Sequence, residues 1–172
     1  MQSTIDTERL RLVTLAAHDI DALLGGSSEL RGIVIPSAWL RNNPDERAML
    51  LYFAGRIRSS PELAPWRLRL MVCRADATMI GHVGFHDPPT DGRLELGYTV
   101  LEPHRRRGYA SEAVTALMSA AASDHDVHRF RLAISPDNQP SLAMARNLGF
   151  DHVGDQIDEV DGLELLFERS WP

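Results

Sequence analysis

Leu10 and Leu12 alternate with arginines ahead of Val13, which predicts a short strand over residues 9–14. The period then lengthens. Ile20, Leu23 and Leu24 fall at helical spacing within 18–24, and Gly25-Gly26 ends that helix. Asn43-Pro44-Asp45-Glu46 reads as a helix start, with an N-cap, a proline in the first turn and acids at the positive end of the dipole. Leu50, Leu51, Ala54 and Ile57 form its apolar stripe, and 59–65 is a loop. From Trp66 the alternation returns. Leu68, Leu70 and Val72 make one strand, "RADAT" (74–78) a turn, 79–85 a second strand, "DPPTDG" (87–92) a turn and 93–100 a third strand. Ala110, Ala113, Val114, Leu117, Met118 and Ala121 then repeat at helical spacing. Phe130, Leu132 and Ile134 alternate as a strand, and 138–148 is a helix closed by Gly149. Two strands around Asp161-Gly162 finish the chain. Antiparallel strands followed by a βαβ-like unit predict one α/β (α+β) domain over 1–172. Its sheet is mixed and mostly antiparallel, of about six to seven strands flanked by about four helices.

Charge narrows the partners. With 18 basic against 24 acidic side chains the net charge is -6, which argues against a nucleic-acid or anionic-membrane surface. Every basic residue except the histidines is Arg, and any basic cluster must therefore serve a local anion. Cys73 is the single cysteine, so no internal disulfide forms and a reducing compartment fits. "MQSTIDTERLRL" lacks a signal-peptide pattern, and no apolar run reaches the roughly 20 residues of a membrane helix. A soluble cytoplasmic protein is expected. The pattern sets no oligomeric state and leaves a homodimer open.

"EPHRRRGYASEA" (102–113) places Arg105, Arg106 and Arg107 between a strand and a helix. A helix N-terminus offers unpaired N–H groups and a positive dipole end to an anion. Gly108 admits close backbone approach, and Ala110 is small for the same purpose. The plainer reading is a solvated loop whose arginines screen an acidic surface. Walker-type and dinucleotide-binding glycine patterns are both absent, which disfavours a nucleotide-binding domain.

Arg-x-x-Gly-x-Ala after "LELGYTVLEP" and before "SEAVTAL" resembles the pyrophosphate loop of the GNAT superfamily of acyl-CoA-dependent N-acyltransferases. "DTERLRLVTL" (6–15), "MIGHVGF" (79–85) and "DNQPSLAMARNLGF" (137–150) resemble, in order, segments of its ribosomal-protein N-terminal acetyltransferase (Rim-type) branch. The resemblance runs from about residue 6 to the end and misses only roughly 25–65. It implies acetyl-CoA (or CoA) as the acyl donor and an amine acceptor, either a protein N-terminus or a small molecule. It also implies a β-bulge that splays 96–100 from its neighbour, leaving backbone at Tyr98, Thr99 and Val100 for the pantetheine arm. The loop Arg105, Arg106, Arg107, Gly108, Tyr109 and Ala110 would take the pyrophosphate. Asn138 corresponds to a pantetheine contact and Ser141 to a hydroxyl near the thioester sulfur. Gly97 within a strand independently suggests a bulge or a close approach. Two positions depart from the family pattern. Ala145 stands where many members carry a tyrosine that protonates the leaving thiolate, so Ser141 alone is left for that role. Asn147, beside Arg146, stands where a basic residue often meets the 3′-phosphate. The missing tyrosine leaves a catalytically silent acyl-CoA-binding module as the alternative.

Acyl transfer to an amine needs a neutral nitrogen. An α-amine with a pKa of about 7.7–8.0 is roughly a tenth neutral at pH 7, and a lysine-like amine hardly at all. Glu95, on "RLELGYTV", is the candidate base, against the plainer reading of a strand carboxylate paired with an arginine. His82 and His86 share parity on the preceding strand; either is an alternative base or a structural histidine. "DHDVH" (124–128) reads as a polar connection, and no metal site is expected. Cys73 reads as a passive small hydrophobe.

Overall fold

A computed structural model describes residues 2–124 and 126–171, except the side chain of Asp124. The first helices and strands are β1 (Thr4–Asp6), β2 (Leu10–Thr14), α1 (Ala17–Leu24), β3 (Glu29–Leu30), β4 (Ile33–Val34), α2 (Ala38–Arg41) and α3 (Pro44–Ser59). They are followed by β5 (Leu68–Cys73), β6 (Met79–Phe85), β7 (Arg93–Val100) and α4 (Tyr109–Asp124). The chain ends with β8 (Arg129–Ile134), α5 (Gln139–Asn147), β9 (Asp151–Asp158) and β10 (Gly162–Ser170). The main sheet runs β1-β2-β5-β6-β7-β8-β10-β9 and is antiparallel except where β7 meets β8. The mixed α/β class is as the sequence predicts, but the main sheet has eight strands. The extra strand is β1, whose three residues pair with β2 through Ile5↔Leu12. Such a strand is too short to show a period. The single-turn α2 and the two-residue β3–β4 pair are missed for the same reason.

Alternation in the central strands gives the sheet two apolar faces. Leu94, Leu96 and Phe130 pack with Val114, Leu117 and Met118 of α4 and with Leu142 and Ala145 of α5. Leu68, Leu70 and Val72 pack with Ile20 of α1, Trp39 of α2 and Leu50, Ala54 and Ile57 of α3. Leu51, assigned to the α3 stripe from sequence, is instead 56% exposed. A step of about 100° per residue turns it away from the face that Leu50 buries.

The feature that matters most for function is where β7 leaves β8. Their parallel pairing covers only Arg93↔Arg129, Leu94↔Phe130 and Glu95↔Arg131. Beyond Glu95, β7 stays paired with β6 from Phe85↔Leu96 to Gly81↔Val100, while β8 stays paired with β10 through Leu165↔Ile134. The strands part, and the β8-facing backbone edge of Leu96–Val100 lies in the gap. The bulge expected at Gly97 is absent: Gly84↔Gly97 is in register with the pairs on either side. The glycines serve close approach instead, with the His86 ring over Gly97 and the Arg67 carbonyl against Gly84.

Candidate active site

At the C-terminal end of β7 a short 3-10 turn, Glu102–His104, leads into the arginine loop and then α4. Arg106 and Gly108 both take left-handed backbone angles, with φ of 61° and 78°. The first intrahelical bond runs from the Glu112 N–H to the Gly108 carbonyl at 3.1 Å, so the amides of Tyr109, Ala110 and Ser111 precede it and point out of the helix start. A cavity of about 690 Å³ opens over these amides. Its walls include Tyr98, Thr99 and Val100 from the parted strand, and Arg105, Arg106, Gly108, Tyr109 and Ala110 from the loop. Asn138, Ser141 and Asn147 of the α5 region complete it. Ten of the predicted cofactor residues therefore surround one cleft; Arg107 does not line it.

Arg107 contributes its carbonyl instead, which accepts a bond from Arg9 Nη1 at 2.8 Å. Arg9 also donates through Nε to Glu112 Oε2 at 2.7 Å, and its guanidinium lies 4.5 Å from the Tyr109 ring centroid. The turn before β2 thus clamps the loop to the first turn of α4. Burial tends to raise the Glu112 carboxyl, but bonds from Thr7 and Arg9 hold it below its ordinary value. Arg105 Nε donates to the Val100 carbonyl at 2.9 Å, so that acceptor is already engaged.

The α5 wall begins with Asn138, whose Oδ1 accepts the Ser141 N–H at 3.2 Å and caps the helix. Ala145 is fully buried in the core beneath this wall. The Tyr98 hydroxyl is buried without a partner in hydrogen-bonding geometry, and Ser141 is its neighbouring hydroxyl. Burial pushes the Tyr98 phenol above its ordinary value, partly offset by Ser141.

Glu95 is not in the cleft. It lies across the sheet, on the face turned towards α3, with Oε1 3.3 Å from His86 Nδ1. His82 shares that face but has a different partner. Its Nε2 is 2.6 Å from Glu46 Oε2, and the Trp39 indole N–H donates to the same oxygen at 3.3 Å. A side-chain bond from Thr99, which lines the cleft, also reaches Glu46. Burial tends to raise the Glu46 carboxyl, yet the bonds from His82, Trp39 and Thr99 outweigh it and hold the group below its ordinary value.

Glu46 escaped the sequence reading because it was accounted for as a first-turn acid. The signal was available: Glu46 stands four residues before Leu50, on the stripe that continues to Ala54 and Ile57. An acid on a buried stripe needs partners. Arg9 and Glu112 lie 103 residues apart, and no local pattern pairs them. The 124–128 cluster lies partly outside the described residues, and among the described residues no group of three His, Cys, Asp or Glu is placed to hold a metal ion. Cys73 is free and packs against the core at the end of β5. No helix among the described residues is long and apolar enough to cross a membrane.

A sheet that parts at its parallel step, with an arginine loop and a helix start at the mouth of the gap, is the architecture of acyl-CoA-dependent acetyltransferases. The model of the acetyltransferase (GNAT) domain matches residues 9–151, and the chain belongs to that family of acetyl-transferring enzymes. Uncharacterized N-acetyltransferase YjdG of Bacillus subtilis is 28% identical over 151 residues, 85% of this chain and 88% of its own. An N-acetyltransferase 9-like protein of Nematostella vectensis is 36% identical over a shorter stretch, 45% of this chain and 41% of its own. Among solved structures, the ribosomal-protein-S5-alanine acetyltransferase of Vibrio fischeri superposes with a TM-score of 0.70 at 13% identity, covering 98% of this chain and 97% of its own. RimL, a ribosomal L7/L12 α-N-protein acetyltransferase in complex with coenzyme A, gives 0.68 at 19% identity over 97% of each chain. At these identities the solved structures establish the fold.

Proposed function

We propose that this chain transfers an acetyl group from acetyl-CoA to a primary amine by direct attack. The observation that carries the proposal is the continuity of the cleft. The open backbone edge of β7, the α5 wall and the arginine-flanked helix start all line one cavity, matching a thioester arm that ends in a pyrophosphate. The solved RimL structure with coenzyme A supports the choice of donor. Tyr98 and Thr99 backbone groups hold the pantetheine, with Asn138 beside them. The Gly108–Ala110 amides hold the pyrophosphate, and Arg105 and Arg106 supply charge. Ser141 protonates the departing thiolate in place of the tyrosine absent at 145. Glu95 draws the proton from the amine, directly or through a carrier. The acceptor approaches from the α3 face, where Glu95, His86 and the Glu46–His82 pair lie. Resemblance to the Rim-type branch favours a protein N-terminal α-amine.

The test is calorimetric titration with CoA and ATP, followed by acetyl-CoA turnover against Ser- and Ala-initiated peptides, spermidine and kanamycin. Binding of CoA in preference to ATP, with turnover of at least one amine, is expected. Tight CoA binding without turnover of any of these amines would make the cleft a silent acyl-CoA site.

A further inference from the structure

Glu95 has an intermediary close at hand. The β6–β7 ladder continues one residue past β6, where the His86 N–H donates to the Glu95 carbonyl at 3.0 Å. His86 and Glu95 are therefore cross-strand neighbours whose side chains rise from the same face. Their Nδ1 and Oε1 atoms are 3.3 Å apart. The rest of the imidazole leans along β7 over Gly97. A Cβ built on Gly97 would meet His86 Nε2 at 2.9 Å, so the bare glycine is the space the ring occupies. Gly97 is the second β7 residue past the last β8 pair, at the root of the gap. Nε2 is thus turned away from Glu95 and set above the strand that lines the cleft. His86 is 57% exposed and Glu95 29%, so an amine arriving from the α3 face meets the ring first.

We infer that His86 Nε2, held over Gly97 with Glu95 at its other nitrogen, is the group that first takes the proton from the acceptor amine. The inference rests on the N-acetyltransferase reading above, and makes Glu95 a positioning residue that acts through the ring. The carboxylate 3.3 Å from Nδ1 orients the ring and leaves Nε2 as the atom that faces the acceptor. In the step itself, an ammonium gives one proton to Nε2 and its nitrogen lone pair attacks the thioester carbonyl carbon. The tetrahedral adduct then collapses, and the C–S bond breaks with its electron pair going to sulfur. The second nitrogen proton passes to the Ser141 oxygen, which has given its own proton to the departing thiolate, and His86 releases its proton to water. Acid and base then stand on opposite faces of the parted strand. The charges around the pair include Asp87, the next residue, with the Arg67 and Arg56 side chains that pair with it, and on β8 Arg131, the register partner of Glu95, whose side chain shares Glu168 with Arg93.

The experiment measures kcat/KM against pH, with acetyl-CoA saturating, for the amine of the above panel that wild type acetylates fastest. His86→Gln, His86→Gly, Glu95→Gln and Gly97→Ala are compared, each checked for folding by circular dichroism. His86→Gln should lose on the order of 10²-fold or more at pH 7 and recover as pH rises towards the amine's own pKa. Added imidazole should restore part of the activity of His86→Gly, which no packing role explains. Glu95→Gln should lose less than His86→Gln. Gly97→Ala, whose methyl displaces only the end of a flexible side chain, should also lose turnover while still binding CoA. A His86→Gln enzyme within threefold of wild type, beside a Glu95→Gln enzyme down 10²-fold, would overturn the inference and leave Glu95 as the direct base. Wild type that binds acetyl-CoA yet acetylates none of the amines would overturn the activity and this inference together.

Discussion

Gly108→Val separates what the loop costs the fold from what it gives the ligand. At Gly108 φ is 78°, and an added Cβ has only Arg9 Nη2 within 4 Å, at 3.4 Å. The protein itself therefore leaves room for a side chain, and the fold pays only for the left-handed backbone. That strain is about 1–2 kcal/mol for a residue with a Cβ. In a chain of this size each kcal/mol lowers Tm by about 2–4 °C, so the ligand-free variant should melt about 2–8 °C below wild type. The ligand term is separate. A valine at the mouth of the cleft keeps the pyrophosphate from the amides of α4, and at least a roughly tenfold loss, about 1.4 kcal/mol, is expected. Thermal denaturation with and without CoA reads both. At CoA equal to about 100 times the wild-type Kd, wild type gains about 2.7 kcal/mol from binding, whereas a tenfold weaker variant gains about 1.4 kcal/mol. The CoA-induced rise in Tm should therefore fall to about half. Gly108→Ala carries the backbone strain with little of the bulk, and should melt low but keep most of the CoA response. If Gly108→Val melts low and still shows the full wild-type response, the pyrophosphate does not run past Gly108.

Arg9→Ala removes the clamp on Arg107 and Glu112, and because Arg9 is 42% exposed a modest three- to tenfold weakening of CoA binding by calorimetry is expected, roughly what solvent-screened charged bonds supply; unchanged affinity would show that the loop holds its shape unaided. Ser141→Ala should lower kcat at least about tenfold in single-turnover experiments while CoA affinity moves less than about twofold, and full activity would remove the hydroxyl from the mechanism. Glu46→Gln should cost about 1–3 kcal/mol, read in urea at pH 7, by weakening the bonds from His82, Trp39 and Thr99. Because the folded protein holds the Glu46 carboxyl below its ordinary value, its ionised form stabilises the fold above that ordinary value. This contribution disappears as pH falls through the depressed one, so wild type should lose more stability on acidification than Glu46→Gln; parallel acid limbs would contradict the assignment.

The elements that carry the cleft were legible because each obeys a local rule. The α4 start follows from Gly108 and the small-residue spacing after it, and α5 follows from an Asn N-cap with proline behind it and Gly149 at φ 75° after it. The resemblance put names to residues that burial and charge alone left open between an anion site and a solvated loop. Contacts between distant parts of the chain were not legible. Arg9 meets Arg107 only because β2 enters the sheet on the α4 side, and Glu46 meets His82 only because α3 crosses the opposite face. Glu95 was placed on the right strand, with an arginine pair as the plainer alternative to a base. Arg131 is its register partner on β8 but pairs with Glu168. On the other side register brings up His86, one residue beyond β6, and register follows from pairing along the whole hairpin rather than from either strand.

The same pairing explains why the gap opens between β7 and β8. On β6, a Cβ at Gly84 would lie 1.6 Å from the Arg67 carbonyl, and one at Gly81 would lie 2.2 Å from the Thr99 carbonyl. These glycines leave room on β6 for the backbone of Arg67 on one side and of β7 on the other. On the far side, β10 grips β8 over its full length, from Arg129 to Ile134. The two halves of the sheet are each tied outwards, and β7–β8 is the junction that stops at Glu95↔Arg131. Past that point β7 has one backbone edge without a strand partner, and an extended arm laid along it would complete the ladder. Parting the strands also frees one short segment of β7 that has side chains on both faces. Ser141 and Tyr98 line the cleft on the α5 side, while the His86–Glu95 pair lies on the α3 side, outside the cleft lining. A closed sheet would separate those two sets by a full layer of backbone. On the proposed mechanism, the parted strand is what would let proton donation and proton removal converge on one thioester.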